Sequence, residues 1–329
     1  MPIKTYKIII CTLLLVSLFL DGCGSDTDET NIYFKQEMRS FVQGISQYAR
    51  EFDGDFIVIP QNGQELVTTT GEADGALAHA YLEAIDGVGR EDLFYGYTND
   101  DEATPAEANS YMVSFCDICK DNGVEVLVID YCSTASFINS SYTMNHNRGY
   151  ISFAAPNREL NIIPEYPAQP YNNNSNTIST LKQAQNFLYL LNPDTFSTKQ
   201  EFINSIAQTD YDLLVIDLFF NESAFTSSEI NQLKTKHSGG TRLVLSYMSI
   251  GEAEDYRYYW QPTWNTSKPE WLESENPDWP GNFKVKYWYK SWQEIIYGNN
   301  GSYLKKIIDA GYDGVYLDII DAFEYFENR

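Results

Sequence analysis

The chain is poor in the residues that most often carry chemistry outside carboxylate and hydroxyl groups. It has only three histidines and five cysteines. Two of the cysteines, Cys11 and Cys23, fall in the N-terminal apolar stretch, leaving Cys116, Cys119 and Cys132. A structural zinc site needs a second cysteine pair or histidines at matching spacing, and neither is present. Cys116 and Cys119 lie on a helical pattern, Ala106 to Lys120, where an i, i+3 pair simply shares one face. They are expected to be small apolar helix residues, with a disulfide to Cys132 left open by an oxidising compartment. Positive charge is also scarce: 22 Lys+Arg stand against 46 Asp+Glu, a net charge of -24. That balance excludes nucleic acid and other polyanions as partners. No phosphate-binding glycine loop or nucleophile motif is present, and no metal or other cofactor is called for.

No apolar run is long enough to span a bilayer. Ile8 to Leu20 makes a run of about 13 residues after Lys4 and Lys7, against the roughly 20 that a spanning helix needs. It has the form of a secretory signal peptide, residues 1–22. Leu20-Asp21-Gly22-Cys23 resembles a bacterial lipobox, with Cys23 the acylated residue and 23–35 a polar tether. The expected location is therefore outside the cytoplasm, either lipid-anchored to a bacterial membrane or secreted.

The remaining residues, 36–329, suit one α/β barrel, which typically needs about 250. Short apolar runs alternate with amphipathic stretches, the signature of a parallel α/β fold. The expected strands are Phe56–Ile59, Ala84–Val88, Val124–Asp130, Phe187–Leu191, Leu213–Asp217, Leu243–Tyr247, Val285–Trp288 and Gly314–Asp318, with Tyr150–Ala154 set outside the barrel. Ser197-x-x-Gln200 and Thr226-x-x-Glu229 read as capping boxes that open helices. The stretch 164–180, rich in Pro, Asn and Ser, reads as a surface linker.

Five carboxylates stand at or just beyond strand ends: Asp318, Asp217, Glu252, Asp130 and Glu91. In a parallel barrel that is the functional face. Any one of them could be only the N-cap of the next helix. Together, with no other reactive group poised, they point to glycosidic cleavage, which needs two carboxyl groups flanking the bond. All six tryptophans fall between Trp260 and Trp292. They suit either stacking on sugar rings or the aromatic core of a large loop.

The runs Tyr211-Asp212-Leu213-Leu214-Val215-Ile216-Asp217, Ser246-Tyr247-Met248-Ser249-Ile250-Gly251-Glu252-Ala253-Glu254 and Gly311-Tyr312-Asp313-Gly314-Val315-Tyr316-Leu317-Asp318 resemble the family-114 glycoside hydrolases. These are TIM-barrel endo-α-1,4-polygalactosaminidases with an uncharacterised extracellular branch. The resemblance implies a (β/α)8 barrel, but with its motifs reordered. Segments resembling the family's later strands, Pro60 to Gly63, Asp86 to Gly96 and Val128 to Tyr131, come first here. A circular permutant is therefore expected, with halves 36–163 and 181–329 joined by the linker.

Carried over residue by residue, the resemblance implies Asp318 as nucleophile or electrostatic stabiliser and Glu91 as general acid/base. Asp217, Glu252, Asn62, Tyr247, Arg257, Trp288 and Asp130 are the expected substrate contacts. The substrate is a polysaccharide or oligosaccharide, and an acidic mouth favours a cationic one. The rival expectation is a carbohydrate-binding barrel at the cell surface without turnover.

Overall fold

The computed structural model describes residues 33–329. The export segment, Cys23 and nearly all of the expected tether lie outside the described residues. Among the described residues no helix is long and apolar enough to cross a membrane.

Among the described residues eight strands pair in parallel and are numbered in chain order: β1 (Ile57–Pro60), β2 (Gly87–Glu91), β3 (Glu125–Tyr131), β4 (Ile151–Ala155), β5 (Phe187–Leu190), β6 (Leu213–Asp217), β7 (Leu243–Ser249) and β8 (Gly314–Asp318). Most are unbroken apolar runs because both faces are covered, so no alternation is imposed. Five form one parallel sheet in the order β1-β8-β7-β6-β5, and three form another, β2-β3-β4. The register sets Asp318 beside Ser249 and Glu91 beside Ile129. The two sheets adjoin at both edges. Between β1 and β2, the Asp86 amide donates to Val58 at 2.9 Å and the Asn62 amide to Gly89 at 2.8 Å. Between β4 and β5, the Phe153 and Phe187 rings lie 5.9 Å apart.

Nine helices are found among the described residues: α1 (Phe34–Arg50), α2 (His79–Leu82), α3 (Ala106–Asp121), α4 (Ala135–Asn147), α5 (Lys199–Ala207), α6 (Ser227–Leu233), α7 (Lys290–Ile296), α8 (Tyr303–Ala310) and α9 (Ala322–Glu327). In α1, Met38, Phe41, Val42, Ile45 and Ala49 recur at helical spacing and are wholly buried. Burying each of the larger ones is worth about 1.5–3 kcal/mol. On α3, Cys116 and Cys119 join Met112, Val113 and Phe115 on the buried face, and all three described cysteines are free thiols. The Thr226–Glu229 capping box is present. The other expected box is displaced by one residue: Thr198 caps α5 and accepts from the Glu201 amide.

Two strand expectations need correction. Tyr150–Ala154, set outside the barrel, corresponds to β4, paired in parallel with β3 and fully buried. Val285–Trp288 is not a parallel strand. Asn282–Val285 is the middle of an antiparallel sheet with Glu252–Glu254 and Leu272–Glu275. Aliphatic content alone does not separate the two, since both segments are short and apolar. The second expected strand, Ala84–Val88, also begins three residues later, at Gly87, and contains Gly87 and Gly89. A Cβ at Gly89 would lie 1.9 Å from the Tyr316 hydroxyl, so only glycine lets that side chain cross.

The 164–180 segment joins β4 to β5 without a regular helix but is tied down. The Asn174 side chain meets Asp212 at 3.0 Å and Lys236 at 3.1 Å, and that ion pair is completely buried.

Candidate active site

Strand order carries Asp318 and Glu91 to one place. Each is the last residue of its strand, and β1 alone separates β8 from β2. Strand ends are where the ladder stops satisfying the backbone, so the chain can turn sharply there. It does so with strain: Ile319, Asp92 and Asn62 have φ of 57°, 59° and 61°. For β-branched Ile319 the left-handed region is a real outlier. Outliers of this kind gather where surrounding structure over-determines a site.

Asp318 lies deep in the site, with one edge meeting solvent. Its Oδ2 accepts the Tyr247 hydroxyl at 2.7 Å. Burial first, and then the neighbouring Glu91 charge, push its carboxyl up to about 7, against the hydrogen bonds from Tyr247 and the Ile319 amide. Both Glu91 oxygens are engaged: Oε1 accepts the Tyr131 hydroxyl at 2.6 Å and Oε2 the Asn62 amide at 3.1 Å. Asn62 also accepts the Glu91 backbone N–H at 3.3 Å, which fixes the carboxylate from two sides. Beneath the pair, Tyr316 is fully buried and its hydroxyl has no hydrogen-bond partner among the described residues. Tyr189 lies 5.2 Å from it, ring to ring, and donates to Gln61 at 2.9 Å.

Asp217 and Arg257 meet through two hydrogen bonds of 2.8 and 2.7 Å. The Arg257 Nε also donates to Glu254 at 2.6 Å, and its guanidinium is packed among Phe219, Tyr256 and Tyr303. Glu254 was not among the expected contacts. Its signal was the alternation in Glu252-Ala253-Glu254, which puts both carboxylates on one face of a strand. Its charge reaches Tyr247 and helps raise that phenol, after burial and the charge of Asp318.

Three expected contacts are engaged by groups other than the acid pair. Asp130 is wholly buried and braces the fold. It accepts the Phe94 and Tyr95 amides at 2.8 and 3.1 Å and the Ser141 hydroxyl at 2.6 Å. Trp288 packs on Phe34 and Phe326 at 5.1 and 4.7 Å between ring centroids. Glu252 is held by Asn276 at 2.9 Å and Lys284 at 3.3 Å. The tryptophans mainly form the loop's own core: Trp264 stands 5.1 Å from Trp260 and 5.0 Å from Trp271, and Trp271 stands 4.9 Å from Trp292. Trp279 is exposed.

Two acids near the pair went unnoticed in the sequence. Burial pushes Asp92 up to about 6 despite the opposing Arg158, and burial pushes Asp321 up to about 6 against the nearby Arg90, with Glu91 adding to the rise. Asp92 stands directly after a strand and Asp321 precedes a helix, positions where a carboxylate usually does capping work. Among the described residues no group of His, Cys, Asp or Glu could hold a metal ion.

The chain is 43% identical to an uncharacterised protein of Thermotoga maritima over 37% of this chain and 36% of the relative. It is 38% identical to an uncharacterised protein of Methanocaldococcus jannaschii over 47% of this chain and 42% of the relative. An uncharacterised protein of Deinococcus radiodurans is 38% identical over 40% of each chain. The chain thus spans about two fifths of the length of the curated relatives it matches. The model of glycoside-hydrolase family GH114 matches residues 167–329, which hold Asp318 and the Asp217–Arg257–Glu254 cluster. Glu91 lies outside that stretch and reaches Asp318 only through the fold. Over residues 167–329 this chain belongs to glycoside-hydrolase family GH114.

Proposed function

We propose that the protein is an exported glycoside hydrolase that cleaves a polysaccharide with the two carboxyl groups of Asp318 and Glu91. The carrying observation is that two acids distant in sequence close strands separated only by β1, near enough for the Glu91 charge to add to burial in raising Asp318. Two carboxyl groups flanking the scissile bond are what hydrolytic cleavage of a glycoside requires. Asp318, below the bond, stabilises positive charge developing at the anomeric carbon or attacks it. Glu91, steadied by Tyr131 and Asn62, donates a proton to the leaving oxygen and then activates water. Asn62 and Tyr247 set the geometry of the acids, while Asp217, Arg257 and Glu254 form an ionic wall beside them.

The same reading treats the eight parallel strands as a closed (β/α)8 barrel. The contacts of β1 with β2 and of β4 with β5 support closure, and the linker tied to Lys236 and Asp212 supports a circularly permuted order. An acidic surface at net charge -24 favours a cationic polymer such as partly deacetylated galactosamine. Cys23 is the proposed lipid anchor at the cell surface.

The test is oligosaccharide release from partly deacetylated polygalactosamine and a panel of bacterial exopolysaccharides, with Asp318→Asn and Glu91→Gln in parallel. Release by the parent and by neither variant supports the pair. Equal release by all three removes the assignment, and binding without release makes the protein a carbohydrate-binding barrel.

A further inference from the structure

Arg158 ties the loop after β4 to the loop after β2. Its Nη2 donates to Asp92 at 2.9 Å and to the Gly96 carbonyl at 2.6 Å, and its Nε donates to Asp100 at 2.7 Å. Between these anchors its guanidinium lies over the Tyr131 ring, 4.1 Å from the centroid. Tyr131 is buried, and its hydroxyl makes the 2.6 Å bond to Glu91 Oε1. The cation is therefore two contacts from an acid that also meets Asn62 and whose charge reaches Asp92, Asp318, Asp321, Tyr189 and Tyr316.

We infer that Arg158 is a positioning residue for Glu91, acting through the Tyr131 phenol. A guanidinium held against an aromatic face is attracted to the ring and fixes its plane. It also draws electron density from the ring, which makes the phenol a stronger hydrogen-bond donor. The ring is then held where its hydroxyl meets Glu91. Asp92 and Asp100 hold the guanidinium in place, and Asp92, with φ of 59°, sets where the chain leaves Glu91. Arg158 lies outside the stretch matched by the family model, as do Tyr131 and Glu91.

This inference rests on Glu91 being one of the two acids, and its test separates the two ideas. Arg158→Gln, Tyr131→Phe and the double variant would be compared after thermal melts confirm folding. The first readout needs no turnover: carbon-13 NMR titration of the Glu91 side-chain carboxyl, its signal assigned by its loss in Glu91→Gln. Arg158→Gln should move the titration midpoint up, and should move it no further once Tyr131 is Phe. The second readout is kinetic, on partly deacetylated polygalactosamine. Arg158→Gln should lower kcat about tenfold, part of the 100-fold or more that a well-placed general acid supplies, with KM little changed. Independent, additive shifts in the two single variants would overturn the inference and leave Arg158 a loop clamp. An unmoved midpoint would overturn it too. Coupled midpoints in a protein that releases no sugar would keep the positioning and overturn the hydrolase.

Discussion

Replacing Asp318 by asparagine removes a group whose ionisation the fold opposes. Its folded value is about 7 against an ordinary aspartate value of 3.8. Between those values the folded protein holds a proton that the unfolded chain has released, so stability falls as pH rises through that window, and the loss due to this one group is complete above about 7. About three units at ~1.4 kcal/mol each set a ceiling of about 4 kcal/mol. Solvent at one edge of Asp318 and its sharing of the site with Glu91 reduce this by about half. Asparagine has the same shape, can accept the Tyr247 hydroxyl and never ionises. Urea unfolding of parent and Asp318→Asn at pH 5 and pH 8 measures the difference, and pH 5 stays clear of the pI near 4.3, where solubility falls. The variant should gain about 1–3 kcal/mol relative to the parent between the two pH values while losing activity. A gap that does not change with pH would refute the reasoning, because shape loss alone is blind to ionisation.

Three further outcomes are expected. With Asp318 as the group that must be ionised, kcat/KM should rise with pH through about 7; a fall through the same range would exchange the roles of the two acids. Gly89→Ala, whose new methyl would meet the Tyr316 hydroxyl, should cost about 1–3 kcal/mol in a denaturant melt. It should also lower activity by pushing Tyr316 or β2 out of place. Lys236→Met leaves Asp212 buried without its cation and should cost about 3–5 kcal/mol. It should also speed proteolysis within 164–180, since Asn174 is bonded to that pair.

Much of the candidate site was legible because a strand-end acid after an apolar run leaves a plain mark. Asp318 and Asp217 close their strands as expected. Asp130 carries the same mark and does a different job, because one residue of register turns a side chain from one face of a strand to the other. Its partners, Ser141 and Asn145, lie on α4, which no local pattern ties to β3. The tryptophan stretch shows a similar limit. Composition marks an aromatic cluster, but whether rings meet a sugar or one another depends on how the loop closes.

Periodicity and capping residues act over a few residues, so the sequence alone determined the alternation of strands and helices and the acids that end strands. Pairing across the chain obeys no local rule. The place of β4 beside β3 and the exclusion of Val285 from the parallel set were decided by tertiary packing. So was the meeting of Asp318 with Glu91, separated by most of the chain. Glycine at position 89 shows the reason most directly: its meaning lies in the Tyr316 side chain that crosses above it, from a strand more than two hundred residues away.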